Sequence, residues 1–95
     1  MTRQLDVDSE PEPLTPVQPG YTDEARNHGT HGTVSLRALV GADGKVKDAR
    51  VIRGLPHGLE EEAIRALRKT NFKPAKKGDL YVPRSIRFDV EFKLD

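Results

Sequence analysis

Residues 85–94, SIRFDVEFKL, decide the fold of this chain, because apolar and polar residues alternate strictly along them. The apolar positions are Ile86, Phe88, Val90, Phe92 and Leu94. A period of two is typical of a β-strand with one apolar and one polar face. The apolar face needs a partner surface, which the rest of the chain must supply. Because this strand comes last in the chain, we predict that it lies at the edge of a sheet.

Two earlier strands are predicted to form a hairpin. Gly32–Val40 alternates as a strand, residues 41–44 form a turn whose strongest signal is Asp43-Gly44, and residues 45–53 return as the second strand. The apolar phase changes between Val46 and Ala49. A β-bulge near Lys47-Asp48 would bring both onto one buried face.

The main helix is predicted over residues 59–71. Its apolar residues recur at helical spacing and are Leu59, Ala63, Ile64 and Leu67. Acidic residues begin the helix and basic residues end it, as the helix dipole favours. Pro74 prevents continuation, and Phe72 is expected to fill the core.

A short helix precedes the first strand, with Thr22 as its N-cap and Gly29 closing it. The predicted fold class is therefore α+β: a three-stranded antiparallel sheet of order 2-1-3, with one long and one short helix packed on one face. The residues expected to be buried together are Val34, Leu36, Val51, Leu59, Ala63, Ile64, Leu67, Phe72, Phe88 and Val90.

The start of the chain differs in composition from the rest. Four prolines lie within the first 19 residues, and residues 1–24 carry one arginine and six acids. The net charge of the 95 residues is +1, so residues 25–95 carry +6. Without a periodic apolar face, residues 1–18 are interpreted as a flexible acidic proline-rich linker, and residues 19–95 as the folded domain.

Several functional classes are disfavoured by the sequence. There is no cysteine, and His28 and His31 lack an assignable third ligand, so no metal or other cofactor is predicted. The aromatic residue within the basic run from Arg65 to Lys77 is Phe72, which is expected to fill the core, so none is left to stack on bases. This argues against nucleic-acid binding and favours a solvated face. No catalytic triad or phosphate-binding loop is visible, so the chain is not predicted to be an enzyme.

The ordered set of motifs resembles the C-terminal domain of the TonB energy-transducer family. The matching features are a tyrosine-led short helix, two glycines, a hairpin, a Leu-acid-x-x-Ala helix and a Phe-x-Pro segment. In this sequence they are Tyr21, Gly29, Gly32, Asp43-Gly44, Leu59-Glu60, Ala63 and Phe72-Lys73-Pro74. Thr22 stands where the family usually has proline, and Glu60 where it usually has aspartate.

The resemblance implies a periplasmic domain whose full-length parent is anchored in the inner membrane. It implies two partners: the N-terminal peptide of an outer-membrane TonB-dependent receptor, and an inner-membrane proton-channel complex reached through the region upstream of this chain. The domain would pass proton-driven force to the receptor for active uptake. The alternative is a sensory or scaffold domain of a membrane-anchored signalling protein, without receptor coupling.

The predicted partner-binding site is the last strand, which would accept the receptor peptide by strand addition. Its predicted residues are Tyr81, Ser85, Ile86, Arg87, Phe88, Asp89, Val90, Glu91 and Phe92. Neighbouring residues of a strand direct their backbone groups to opposite sides, so one parity class, either Ile86, Phe88, Val90 and Phe92 or Arg87, Asp89 and Glu91, bonds the central strand and the other is free. The sequence leaves open which class is free, and whether the edge also pairs two copies into a homodimer.

Overall fold

The computed structural model describes residues 7–94. Its two helices are α1 (Asp23–Asn27) and α2 (Leu59–Lys69). Its strands in chain order are β1 (Glu12–Pro13), β2 (Gly32–Val40), β3 (Val46–Arg53), β4 (Phe72–Lys73), β5 (Ala75–Lys77), β6 (Leu80–Val82) and β7 (Arg84–Phe92).

The main sheet has the order β3-β2-β7, and both pairings are antiparallel. This arrangement is the predicted α+β fold with the first hairpin strand in the centre. Two short two-stranded sheets, β1-β4 and β5-β6, accompany it. In the part of the chain that is described, no helix is long and apolar enough to cross a membrane.

The hairpin of β2 and β3 has the predicted bulge. Leu39 pairs with Asp48 and Val40 with Val46, which leaves Lys47 as the extra residue. At the turn, Gly44 adopts φ +82°, and a Cβ there would lie 2.1 Å from the carbonyl oxygen of Phe72. Only glycine fits this position, because both the left-handed backbone and the close approach exclude a side chain.

An ion pair between Asp43 and Lys47 stabilises the same turn. The Asp43 carboxylate accepts a hydrogen bond from the Lys47 ammonium at 2.8 Å and another from the backbone N–H of Lys45 at 3.0 Å. The hydrogen bond from Lys47 is the main reason that the pKa of Asp43 lies below its ordinary value.

The core lies between α2, α1 and one face of the sheet. Seven of the ten expected core residues are buried, while Val51, Ile64 and Phe88 are only half-buried against the cluster. Helix α2 packs mainly over β3 and β2, so the apolar face of β7 receives less helical cover. This asymmetry explains why Phe88 keeps some exposure although its spacing matches that of Val90.

The region between Pro74 and β7 forms a hairpin that the sequence pattern did not predict. Ala75–Lys77 pairs with Leu80–Val82 as a tight hairpin around Gly78 and Asp79. Gly78 has φ +60°, a left-handed conformation that suits such a turn. Two strands of three residues are too short to show a period of two. The two lysines of Ala75–Lys77 also leave the first strand without an apolar alternation.

The segment before α1 also differs from the expectation of an unstructured linker. Ser9 pairs with Lys76, Glu12–Pro13 pairs with Phe72–Lys73, and Pro11 is buried. Glu10 forms a bidentate ion pair with Arg84, in which Nε and Nη2 of the guanidinium each lie 2.9 Å from a carboxylate oxygen. These partners lie more than 50 residues away in the sequence, so no local pattern could reveal them. The linker interpretation of residues 1–6 lies outside the described residues, and the domain boundary at residue 18 stays a prediction.

Truncation of the buried helix residue Leu67 to alanine should destabilise the domain. Its side chain is fully buried in the core, so Leu67→Ala is expected to cost about 2–5 kcal/mol of unfolding free energy. The half-buried Phe88, changed to alanine, should cost less. Leu14→Ala is the control, because Leu14 is 64% exposed and should change stability by less than about 0.5 kcal/mol. Urea denaturation midpoints measure all three, and an unchanged midpoint for Leu67→Ala would contradict the packing.

Deletion of residues 1–14 should lower the unfolding free energy by about 2 kcal/mol, because several backbone bonds and the Glu10–Arg84 pair are lost together. The Arg84 side chain is 16% exposed, so the ion pair that it forms with Glu10 is lost from a largely desolvated place. Glu10→Gln should reproduce part of the loss, whereas Thr15→Ala serves as an exposed control. An unchanged melting curve after the deletion would instead support a dispensable linker over residues 1–18.

Candidate partner-binding edge

Strand β7 forms one side of the main sheet. Within residues 7–94 its only strand partner is β2, with an unbroken register from Gly32↔Phe92 to Val40↔Arg84. Because the register has no bulge, the alternation of backbone groups is uninterrupted along nine residues. An uninterrupted edge of this length presents a regular row of N–H and C=O groups to a further strand.

The hairpin turn determines which residues of β7 face outward. Gly41 donates its N–H to the carbonyl of Lys45, on the β3 side of the sheet. Neighbouring residues of a strand direct their backbone groups to opposite sides, so Val40 and the other even-numbered residues of β2 face β7. Their partners in β7, which include Phe88 opposite Leu36 and Val90 opposite Val34, are the hydrogen-bonded class. The outward class is therefore Ser85, Arg87, Asp89 and Glu91.

The side chains of β7 divide between two faces. Ile86 and Phe88 are half-buried on the core face, and Val90 and Phe92 are buried there. Phe72 meets Phe88 edge-on with ring centroids 5.9 Å apart, and Tyr21 meets Phe92 in the same way at 5.6 Å. These aromatic contacts hold the core face of β7 against Phe72 and Tyr21.

The opposite face of β7 is charged and exposed. The Arg87 guanidinium lies 3.5 Å from Asp89 and 3.3 Å from the hydroxyl of Ser35, and Lys93 lies 3.4 Å from Glu91. These pairs are solvent-exposed, so each contributes little to stability. They leave charges available to a partner side chain beside the edge.

The segment before α1 borders both ends of this edge. Glu10 and Pro11 line a cleft of about 360 Å³ with residues 84–88. Val17, Pro19 and Tyr21 line another, of about 470 Å³, with residues 91–93. Glu10 and Pro11 were not among the predicted site residues, because only the tertiary fold brings them to β7.

Eight of the nine predicted site residues lie consecutively in β7, and the ninth does not. Tyr81 belongs to β6, is 54% exposed, and lies with its ring 5.6 Å from the Lys76 ammonium. Pro83 and Val82 separate it from the strand. The backbone geometry assigns outward hydrogen-bonding groups only to Ser85, Arg87, Asp89 and Glu91, and the even-numbered residues present apolar side chains.

The histidines form a stacked contact. The rings of His28 and His57 are 4.1 Å apart and nearly parallel, and Nδ1 of His57 is 2.8 Å from the Thr30 hydroxyl. Among residues 7–94 no three histidine or acidic side chains converge as metal ligands would. The contact joins α1 to the loop before α2, where Thr22 also donates its hydroxyl hydrogen to the His57 carbonyl at 2.6 Å.

Comparison with known proteins connects this geometry to a family. The family described as the Gram-negative bacterial TonB protein C-terminal matches residues 17–94. Protein tonB2 of Pseudomonas aeruginosa is 32% identical over 78 residues, which cover 81% of this chain and 29% of that protein. Protein TonB of the same organism is 28% identical over 89 residues, which cover 93% of this chain and 26% of that protein.

A solved structure has the same fold. The solution NMR structure of the Pseudomonas aeruginosa TonB CTD superposes with a TM-score of 0.73 at 28% identity, covering 93% of this chain and 90% of that one. The chain spans less than a third of the length of the curated relatives that it matches. The match over residues 17–94 and the shared fold show that this chain belongs to the TonB C-terminal domain family.

Proposed function

We propose that this domain binds the N-terminal peptide of an outer-membrane TonB-dependent receptor by strand addition along β7. The observation that carries the proposal is the row of outward N–H and C=O groups at Ser85, Arg87, Asp89 and Glu91. Main-chain hydrogen bonds to such an edge supply affinity that is largely independent of sequence. This is the chemistry of a binding module rather than of an enzyme.

Selectivity would come from the side chains on the two faces of the extended sheet. The open face of the sheet is the charged, exposed face on the side opposite the helices. A peptide residue on this face would lie beside Arg87, Asp89 or Glu91, and opposite charges across strands stabilise such a pair. A peptide residue on the other face would lie beside Ile86 or Phe88, whose partial exposure leaves apolar surface to cover. Tyr81 would contribute from the neighbouring hairpin.

In this proposal the domain is periplasmic, and its full-length parent is anchored in the inner membrane with a proton-channel complex. Force would arrive through the segment before α1. That segment is joined to β7 by the Glu10–Arg84 pair and to the core by Val17. A pull on the upstream chain would therefore act close to both ends of the edge that holds the receptor peptide, which suits TonB-type energy transduction.

The first test is amide hydrogen exchange with and without a saturating peptide from the N-terminus of a cognate receptor. The amides of Arg87, Asp89 and Glu91 should slow on peptide addition, because they gain acceptors. Those of Phe88 and Val90, already bonded to β2, should change little. Protection confined to β3, or none, would contradict strand addition and favour the sensory or scaffold alternative.

The second test removes one outward donor. Asp89→Pro eliminates an N–H that faces solvent, and proline is tolerated on edge strands when its missing donor faces outward. We expect Asp89→Pro to keep the fold and to weaken peptide binding at least about tenfold, since it removes one main-chain bond and blocks approach of the peptide.

Asp89→Ala is the matched control, because it loses the same carboxylate but keeps the N–H. Its affinity, measured by calorimetry, should fall much less than that of the proline variant, because only the exposed side-chain contact is lost. Equal affinities for the proline and alanine variants would show that the peptide does not use the β7 backbone.

A further inference from the structure

Three arginines form one row across the open face of the sheet. Arg37 in β2 lies directly opposite Arg50 in β3 and directly opposite Arg87 in β7. Strands lie about 4.8 Å apart, so the row spans about 10 Å. Both helices pack on the other face, and all three arginines are exposed.

This row is electrostatically unfavourable within the domain. Like charges directly opposite each other destabilise a sheet, and Arg37 and Arg87 occupy a non-hydrogen-bonded pair, where side chains approach most closely. Arg50 is relieved by Asp48 at 3.2 Å, and Arg87 by Asp89 at 3.5 Å. Among residues 7–94, Arg37 has no ion pair. In the adjacent row, Arg53 of β3 lies opposite Ser35. With Arg53 included, this part of the open face carries four arginines and the two carboxylates of Asp48 and Asp89.

An exposed apolar cleft continues this face toward the β5-β6 hairpin. Leu39 follows Arg37 by two residues on the same side of β2, and lines a cleft of about 440 Å³ with Val82 and Pro83. Lys77 also lines the cleft, and its cross-strand partner Leu80 is 69% exposed. Cationic side chains and exposed aliphatic side chains are therefore adjacent.

We infer that this open face docks on the surface of an anionic lipid bilayer through the Arg37–Arg50–Arg87 row, the cleft lined by Leu39 and Val82, and the exposed Leu80 of the neighbouring hairpin. The arginines would engage phosphate headgroups, for which the guanidinium has suitable paired donors. The aliphatic residues would enter the adjoining headgroup and acyl boundary. The row projects from a sheet face instead of enclosing a pocket, which suits many headgroups better than one small anion.

The inference is independent of strand addition. Arg37 and Arg50 lie on β2 and β3, away from the outer edge of β7, so the bilayer and a receptor peptide would use different parts of the sheet. Arg87 in the arginine row and Ser85, which lines the cleft, belong to both surfaces. The critical variants therefore avoid both residues.

The experiment is co-sedimentation of the domain with vesicles of phosphatidylcholine alone or mixed with phosphatidylglycerol, at low and high salt. Binding should require phosphatidylglycerol and weaken as salt rises. Arg37→Gln should weaken binding about fivefold, the factor that corresponds to about 1 kcal/mol for one arginine at an anionic surface. Leu80→Ser should weaken it further through the apolar contact.

Arg68→Gln is the matched control, since it removes the same charge from an exposed position of α2 on the opposite side of the sheet. It should bind like the unmodified domain. Equal weakening by Arg68→Gln would reduce the effect to net charge and overturn the inference, as would equal binding to both kinds of vesicle or to neither.

Two further measurements distinguish bilayer binding from binding of an acidic polypeptide and from strand addition at β7. Soluble polyglutamate that binds through Arg37, without vesicle binding, would identify an acidic polypeptide as the occupant and overturn the bilayer proposal. Arg37→Gln should retain receptor-peptide binding, and Asp89→Pro should retain vesicle binding. Failure of one proposal would then leave the other unaffected. Melting curves should show Arg37→Gln folded, because it relieves repulsion.

Discussion

Strand β2 pairs on both sides, with β3 and with β7, and the buried core, the outward edge and the arginine row all follow from this double pairing. Odd-numbered residues of β2 direct their backbone groups to β3, and even-numbered residues direct theirs to β7. The same alternation sends even-numbered side chains to the core and odd-numbered side chains to the open face. One register therefore fixes the buried cluster, the free groups of β7 and the arginine row together. A slip of one residue would reverse all three.

The core is asymmetric, and this has consequences for β7. Helix α2 covers mainly β3 and β2, so cover for the apolar face of β7 comes from Phe72, Tyr21 and the segment before α1. That segment also carries Glu10, whose ion pair reaches the first residue of β7. In a chain of 95 residues such contacts are a significant part of a marginal stability. The edge strand β7 is thus held at both ends by contacts with the segment before α1, through Glu10 and Tyr21.

An open edge of nine residues is a liability for aggregation, and β7 carries the usual protection. Arg87, Asp89 and Glu91 place charges of both signs along it, and Pro83 precedes it. A second copy pairing in a register that opposed like charges would be disfavoured, whereas a partner of complementary charge would not. The charged open face therefore limits non-specific pairing while leaving the backbone accessible.

The elements with strong local signals could be predicted from the sequence alone. The alternation in residues 85–94, the Asp43-Gly44 turn, the bulge at Lys47 and the stripe on α2 were all predictable, because each depends on neighbours within a few residues. With them came the antiparallel order and an edge position for the last strand.

Which residues of β7 face outward could not be predicted from the sequence, because that depends on the register in which β7 pairs with β2. The same holds for the cover over β7 and for the row of Arg37, Arg50 and Arg87. The partners in these contacts lie far apart in the chain, and the register that joins them is a property of the whole sheet. No pattern within a single segment carries that information.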